Sequence, residues 1–443
     1  MKNTHNNQGQ QAGGENHFRF AGHDTVTLAN NYGTPLYVMS EDMIRQRCRQ
    51  VKKDFLDKYP GSRAAYASKA FLSMAMCRIV ESEGLCLDVV SGGELYTAVQ
   101  AGFPMERVIF HGSNKSLEEL EMAVTHRVGR VVVDHPEEID LLEAVAGEAG
   151  VTMAIQLRVV PEVEGKTHRH IMTGQKDTKF GIPLAPEIIE AAVEKAMKSA
   201  HLDLMGFHFH IGSNLFEQEV YVAAVERLMK LCRQLKDRLG LTVRELNTGG
   251  GYGIRYTAAD NPHPAPYYTD AIMATVTQCA DRLNLPVPQV TIEPGRWIVG
   301  EAGITLYTVG TVKTIPGLRT YVSVDGGLPD NIRPALYGAA YEAVAANKVH
   351  EPCTETVTVA GKCCESGDIL IWDLKTPSLE RGDVLAVFST GAYNESMANN
   401  YNRLPRPAVV LLTGDQSRIM VDRETREDLL MRERRAEEKC GAK

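Results

Sequence analysis

Lys69 lies where its amine could do covalent chemistry. It ends the apolar stretch 63–69, whose small and apolar residues predict a strand running into a helix that begins near Phe71. A lysine desolvated at the end of a buried strand becomes a nucleophile that can form a Schiff base with a carbonyl. Most such lysines instead reach solvent along their own stems, so Lys69 alone does not decide a function.

An anion-binding loop is predicted further along the chain. Gly249, Gly250 and Gly251 are consecutive and offer backbone N–H groups that no Cβ shields, which suits a phosphate dianion. The alternative is a flexible turn. Arg296, beside Gly295, adds a guanidinium that could bind the same anion.

Two more side chains complete a possible cofactor site. Glu293 ends an apolar strand, so its carboxylate is either buried or points into a cleft, where a pyridinium N–H would be a suitable partner. The alternative for Glu293 is an ion pair with Arg296. His210 could stack on a flat ring or could be a core histidine. We therefore predict a site for pyridoxal 5′-phosphate, formed by a lysine, a carboxylate, an aromatic ring for stacking and an anion-binding loop.

The predicted strands and helices that position these residues alternate regularly along the chain. Eight short apolar strands alternate with amphipathic helices from about residue 63 to residue 295, which predicts a parallel (β/α)8 barrel of the TIM type. A doubly wound open sheet is the alternative, but GxGxxG after the first strand is absent. The predicted strands are 64–68, 86–90, 108–110, 131–133, 153–159, 204–209, 242–247 and 290–292. Polar residues and glycines follow nearly every strand, as expected for the catalytic face of such a barrel.

After residue 300 the pattern changes to alternating apolar runs separated by Gly and Pro, which predicts a second, antiparallel β-sandwich or β-barrel domain. We therefore expect a disordered tail at 1–17, a segment at 18–44 that joins the β domain, the barrel at 45–300, the β domain at 301–430 and a charged tail at 431–443. The run from Arg423 onward is predicted as a charged amphipathic helix and tail.

Composition limits the functional classes. The 443-residue chain carries a net charge of -8, which argues against nucleic acid or an anionic membrane surface as a partner. No apolar run reaches the length of a membrane span, and the first 17 residues lack the apolar core of a secretory signal. Nine cysteines without a CxxC pair are typical of reduced thiols in a cytoplasmic enzyme, and no residue set is assigned to a metal.

Ten short motifs in order give the chain a family resemblance. From about residue 33 to residue 430 it resembles the diaminopimelate decarboxylases, which belong to the alanine-racemase-like, fold type III pyridoxal-phosphate enzymes. The motifs are YASKA (66–70), DVVSGGEL (88–95), HGSNKS (111–116), GQKDTKFG (174–181), HFHIGS (208–213), NTGGGYG (247–253), EPGR (293–296), RPALY (333–337), CESGD (364–368), and GAY (391–393) with NYN (400–402).

The resemblance implies roles for the matching residues. Lys69, His210, Glu293 and Cys364 are the implied catalytic residues, Cys364 acting as a candidate proton donor in the active site of a second subunit of a homodimer. The implied cofactor-binding residues are Lys69, His210, Ser213, Gly250, Gly251, Glu293, Gly295, Arg296 and Tyr393. The implied substrate-binding residues are Arg296, Arg333, Tyr337, Glu365 and Tyr393.

The implied reaction is decarboxylation of meso-2,6-diaminopimelate to L-lysine and CO2, the last step of lysine biosynthesis. The alternative is a decarboxylase of the same fold acting on ornithine, arginine, carboxynorspermidine or a carrier-tethered amino acid. Glu365 favours diaminopimelate, because relatives acting on ornithine or arginine tend to place Asp after the cysteine. A racemase stays open in principle. A non-catalytic pyridoxal-phosphate-binding barrel is the distant alternative, against which Arg333 and the segment 364–366 argue.

Overall fold

A computed structural model describes residues 16–163 and 177–433. The chain divides into two compact units. One comprises Met43–Ala302 and Gly391–Ser396, and the other comprises Met1–Asp42, Gly303–Thr390 and Met397–Lys443.

The first unit contains a closed barrel of eight parallel strands, in which each strand pairs with the next and the eighth pairs with the first. The strands are β1 (Arg63–Ala67), β2 (Cys86–Val89), β3 (Val108–Phe110), β4 (Arg130–Val133), β5 (Met153–Arg158), β6 (Leu202–His208), β7 (Glu245–Asn247) and β8 (Gln289–Ile292). Ala65, Ile109 and Val132 pack together as part of the buried core. The predicted (β/α)8 barrel is confirmed.

Helices connect the barrel strands. They are α1 (Met74–Ser82), α2 (Gly92–Ala101), α3 (Leu117–Thr125), α4 (Pro136–Glu148), α5 (Pro186–Lys198), α6 (Glu219–Leu239) and α7 (Ala265–Arg282). Glu41–Val51 and the π-helix Lys52–Leu56 precede the barrel, and the short helix Arg296–Val299 follows β8.

Side-chain caps fix where several helices begin. Ser91 caps α2, and Ser116 forms a capping box with Glu119 at the start of α3. The predicted helix start near Phe71 is wrong. A 3-10 turn at Ser68–Ala70 follows β1, and α1 begins only at Met74, where the Ser73 side chain accepts the N–H of Met76.

The second unit is built on a nine-stranded sheet. Its strands are Leu36–Ser40, Gly303–Ile315, Arg319–Val324, Ala343–Ala345, Glu355–Ala360, Ile369–Thr376, Val384–Val387, Ala408–Thr413 and Gln416–Val421. Most pairs are antiparallel, which confirms the predicted β domain, although Leu36–Ser40 lies parallel to Ala408–Thr413 and Arg319–Val324 lies parallel to Glu355–Ala360. The helices of this unit are Thr25–Tyr32 and Arg333–Tyr337, and a two-stranded ribbon pairs Arg19–Phe20 with His23–Asp24.

The helix predicted from Arg423 onward is wrong where the chain is described. Residues 423–433 contain only a 3-10 turn at Asp428–Leu430. Leu430 and Met431 are exposed, so no apolar face is buried to stabilise a longer helix. In the described parts of the chain, no helix combines the length and apolar character that crossing a bilayer requires.

Candidate active site

A cavity opens at the carboxyl ends of the barrel strands. Its lining includes most of the residues predicted to bind a cofactor. The lining residues are Ala67, Lys69, Asp88, His210, Ser213, Gly250, Gly251, Tyr252, Glu293, Gly295, Arg296, Trp297 and Tyr393.

Lys69 reaches the cavity from the 3-10 turn after β1. Its neighbours Ser68 and Ala70 are buried, whereas Lys69 itself is exposed. The turn directs the stem of Lys69 into the cavity, so of the two alternatives for this lysine the structure shows the one that reaches solvent. Hydrogen bonds from the surrounding protein hold this turn: the Ser68 hydroxyl donates to Glu94 Oε2 (2.7 Å), and the Tyr393 N–H donates to the carbonyl of Ala70 (2.8 Å).

Glu293 lies at the end of β8 with only 6% of its surface exposed. Its Oε1 accepts a hydrogen bond from Asn247 Nδ2 (2.6 Å) and lies 2.8 Å from His111 Nε2, while its Oε2 lies 3.2 Å from His208 Nε2. Burial alone would raise the pKa of Glu293, but the nitrogen atoms of His111 and His208 beside the carboxylate hold it well below its ordinary value. The carboxylate is therefore an anion, and Arg296 is not its partner.

Asp88 and His210 complete the electrostatics of the cavity. Burial raises the pKa of Asp88 to about 7, a shift that His111 opposes and Glu293 increases. Burial, followed by the positive charges of Lys69 and Arg158, holds the pKa of His210 well below its ordinary value. His210 is consequently a neutral ring, and its Nδ1 accepts the N–H of Gly250 at 3.4 Å.

The glycine loop after β7 comes too close to neighbouring backbone for any side chain. A Cβ on Gly250 would lie 1.9 Å from the carbonyl oxygen of Glu293, and a Cβ on Gly251 would lie 2.1 Å from that of Gly212. Gly251 also has a φ of 103°, which favours glycine. Backbone without side chains therefore lines this part of the cavity.

Arg296 extends the anion-binding surface formed by the glycine loop. Its side chain is buried, its Nη2 donates to Ser213 Oγ at 3.0 Å, and its Nη1 bonds the hydroxyl of Tyr256. Its guanidinium carbon lies 4.7 Å from the centre of the Tyr393 ring. Its Nε is buried and has no hydrogen-bond partner within the described residues. An anion held here would accept from that N–H.

These features fit pyridoxal phosphate. The glycine loop and Arg296 match a phosphate, and the neutral imidazole of His210 matches a flat ring. The anionic Glu293 matches a protonated ring nitrogen, and the accessible Lys69 matches a reactive carbonyl. The roles of the individual residues nevertheless stay predictions.

Four predicted substrate or proton-donor residues belong to the second unit. Arg333 is buried and its Nη1 bonds the hydroxyl of Tyr341. Tyr337 is half-buried at the end of the helix Arg333–Tyr337. Cys364 and Glu365 are exposed on a turn. Their relation to the cavity stays a prediction.

Three side chains around Glu293 lie in the motifs quoted above but were given no role beside Glu293 from the sequence: His111, His208 and Asn247. Each comes from the carboxyl end of a different strand, namely β3, β6 and β7. The signal that could have found them is their strand-end position, which also singled out Lys69 and Glu293.

Comparison with known proteins agrees with this site. The family model described as "Pyridoxal-dependent decarboxylase, pyridoxal binding domain" matches residues 41–300, more than half of the chain. The diaminopimelate decarboxylase of Bacillus subtilis is 52% identical over 94% of this chain and 94% of its own length. That of Staphylococcus aureus is 43% identical over 91% and 94%. The chain belongs to the diaminopimelate decarboxylase family.

Solved structures extend the comparison to the fold of this family. The diaminopimelate decarboxylase of M. jannaschii in co-complex with L-lysine has a TM-score of 0.90 at 34% identity and covers 96% of this chain and 97% of its own. The Helicobacter pylori enzyme complexed with L-lysine has a TM-score of 0.84 at 31% identity, covering 92% and 98%. The predicted family, its pyridoxal-phosphate cofactor and its decarboxylase class are confirmed. A lysine/ornithine decarboxylase from Vibrio vulnificus, at 22% identity, shares the fold alone.

Proposed function

We propose that this chain decarboxylates meso-2,6-diaminopimelate to L-lysine and CO2 with pyridoxal 5′-phosphate as cofactor, the last step of lysine biosynthesis. The observation that carries the proposal is one cavity lined by Lys69, Glu293 and the glycine loop, at the strand ends where barrel enzymes place their chemistry. The extent of identity to diaminopimelate decarboxylases supports this substrate over ornithine or arginine.

The residues of the cavity that were predicted to bind the cofactor each have a task in this reaction. When bound, the cofactor supplies an electron sink for the pair left behind by CO2. Lys69 is the residue whose amine would hold the cofactor at its carbonyl carbon, the carbonyl oxygen leaving as water. The glycine loop, Ser213 and Arg296 bind the phosphate, and His210 packs against the ring. Glu293, as an anion, keeps a proton on the ring nitrogen.

Substrate recognition needs charges for the amino-acid group that does not react. We assign its carboxylate to Arg333 and Tyr337 and its ammonium to Glu365, since a guanidinium and a carboxylate are the complementary pair. Arg296 and Tyr393 complete the assigned substrate-binding set. Cys364 of a second subunit is the assigned proton donor, which makes the active enzyme a homodimer. The exposure of Cys364 and Glu365 is compatible with contact across an interface.

The remaining proposals concern location and domain boundaries. We place the enzyme in the cytoplasm. Residues 45–300 are the proposed cofactor-binding domain, and residues 18–44 together with 301–430 are the proposed β domain, with tails at 1–17 and 431–443. The division of contacts after Asp42 and Ala302 supports these limits.

A purified protein tests the function directly. The wild type should show a visible chromophore that borohydride bleaches, and it should release CO2 from meso-diaminopimelate faster than from ornithine or arginine. Lys69→Ala should lose covalently held cofactor, and its kcat should fall by more than about a thousandfold. Lys198→Ala, on the exposed surface of α5, is the matched control and should behave as the wild type.

Other outcomes separate the alternatives. Faster release from ornithine or arginine would show that the roles given to Arg333 and Glu365 are wrong. Bound cofactor without CO2 release from any amino acid would indicate a non-catalytic barrel. Covalently bound cofactor in Lys69→Ala would show that Lys69 is not the residue that holds the cofactor.

A further inference from the structure

The Glu293 carboxylate is surrounded by nitrogen atoms on the side facing the barrel interior. Asn247 Nδ2 and His111 Nε2 approach Oε1 at 2.6 and 2.8 Å, and His208 Nε2 approaches Oε2 at 3.2 Å. Only 5% of the His111 side chain and 2% of the His208 side chain are exposed. Because water is excluded, these nitrogens replace the solvation that the carboxylate lost on burial.

The position of His208 selects its tautomer. Burial lowers the pKa of His208 to about 3, so the ring is neutral and carries one N–H. Its Nε2 faces Glu293 Oε2, whereas its Nδ1 is buried and has no hydrogen-bond partner in the described part of the chain. A proton on Nδ1 would leave the Nε2 lone pair against the carboxylate oxygen, which is repulsive. The geometry therefore requires the proton on Nε2.

His111 is held between two carboxyl groups. Its Nε2 lies 2.8 Å from Glu293 Oε1 and 3.7 Å from Asp88 Oδ1, contacts that are not aligned as hydrogen bonds within the described residues. Its ring meets that of His208 edge to face, with centroids 4.7 Å apart and planes at 69°. The two imidazoles thus fix each other and reach different oxygens of Glu293, so neither is a substitute for the other.

We propose that His111 and His208 are positioning residues that hold Glu293 as an oriented anion, so that it keeps the ring nitrogen of the bound cofactor protonated. The proposal rests on the proposed function, because it assigns Glu293 to that nitrogen. Removing the His208 N–H, or the His111 ring whose Nε2 lies against Oε1, frees the carboxylate to rotate and to take up a proton itself, and a protonated Glu293 no longer holds the ring-nitrogen proton.

The same side chains have the ligand types of a metal site. The candidate ligand atoms of His111, His208 and Glu293 all lie within 4.8 Å of one another. A metal site and the positioning role require different protonation of His208. A metal ion needs a lone pair on Nε2, whereas the positioning role needs a proton on Nε2.

Two spectroscopic measurements test the positioning role. The ring nitrogen of 15N-labelled pyridoxal phosphate should report a pyridinium in the resting wild-type holoenzyme and shift toward neutral pyridine in His111→Phe and in His208→Phe. With labelled histidine, the wild type should show an Nε2–H tautomer for His208. That second measurement needs no variant, so it stands even if a substituted chain fails to fold.

Kinetics provide a separate readout. In each Phe variant kcat should fall by about 10- to 100-fold with KM nearly unchanged. This is the range seen when a residue that orients an active-site residue is removed. His208→Gln restores an N–H donor and should recover most of that loss. His126→Phe is the matched control, because His126 follows α3 and lies ahead of β4, at the opposite end of the barrel.

The outcomes distinguish this inference from the function beneath it. A wild type that takes up no pyridoxal phosphate would contradict the proposed function. A wild type that binds it, while the ring nitrogen stays protonated in both Phe variants, would overturn the positioning role alone. A His208 found as the Nδ1–H tautomer, or stoichiometric zinc lost in His208→Phe, would overturn it in favour of a metal site.

Discussion

Two buried glutamates on neighbouring strands of the barrel have opposite kinds of partner. Glu245 begins β7 and is 2% exposed, and Glu293 follows β8 and is 6% exposed. Glu245 is met by permanent cations: Arg130 Nε donates to its Oε2 at 2.8 Å and Arg63 Nη1 donates to its Oε1 at 3.1 Å. Gln156 Nε2 adds a hydrogen bond at 2.9 Å. Glu293 has no guanidinium partner among the described residues and is met by imidazoles and an amide.

The difference separates a structural carboxylate from a functional one. Guanidinium groups stay charged at any pH in the working range, so the charge of Glu245 is already neutralised and it is unsuited to act on a ligand. A neutral His208 and Asn247 donate hydrogen bonds without cancelling the negative charge of Glu293. That charge remains for the cationic ring nitrogen of a cofactor.

Glu293→Gln gives the largest expected effect, and it falls on activity. The amide cannot balance a pyridinium, so the cofactor becomes a weaker electron sink. We expect kcat to fall by about 10²–10³-fold, measured by CO2 release at saturating meso-diaminopimelate. The free energy of unfolding of the cofactor-free protein should fall by about 1–3 kcal/mol, because the NH2 group replaces one oxygen and leaves one buried donor without an acceptor.

Glu293→Asp is the control for this prediction, since it keeps the charge and withdraws it by one methylene. It should be more active than Glu293→Gln. A Glu293→Gln variant with nearly wild-type kcat would contradict the distinction between Glu293 as a functional carboxylate and Glu245 as a structural one.

Glu245→Gln should have the reverse effect. It leaves Arg63 and Arg130 facing a neutral amide in a buried site, and breaking such an ion pair costs about 3–5 kcal/mol. Denaturant unfolding should show this loss, while kcat per folded molecule changes little. Glu194→Gln removes the exposed pair with Lys198 on α5 and should cost less than about 0.5 kcal/mol.

The stabilisation from Glu245 should also depend on pH. Burial alone would raise the pKa of Glu245, but the Arg130 hydrogen bond and the charges of Arg130 and Arg63 lower it overall. A depressed folded-state pKa gives stability that is present above the unfolded value of about 4.3 and is lost as pH falls below it. The difference between wild type and Glu245→Gln should therefore shrink in acid, and a constant difference would contradict the assignment.

The sequence predicts the scaffold better than the surroundings of Glu293. Strand order and the position of Lys69 and Glu293 follow from a repeating pattern, because parallel strands bring their carboxyl ends to one face. His111 and His208 come from β3 and β6, and their convergence on Glu293 depends on barrel closure, which no local pattern contains. The exposure of Lys69 likewise depends on the 3-10 turn Ser68–Ala70, which lies where the sequence predicts the end of the strand and precedes the predicted helix.

Asp88→Asn should give the smallest effect. It tests whether burying the Asp88 carboxyl group at the cavity end of the barrel lowers the stability of the folded protein. The pKa of Asp88 is raised by burial to about 7 in the folded protein, against about 3.9 unfolded. Between these values the folded state binds more protons, so stability falls as pH rises toward 7. The melting temperature of the cofactor-free wild type should therefore drop relative to Asp88→Asn by about 2 °C or more between pH 5 and pH 8. Parallel melting curves would mean that Asp88 ionises as an ordinary carboxylate, and the contrast with Glu245 would then rest on Glu293 alone.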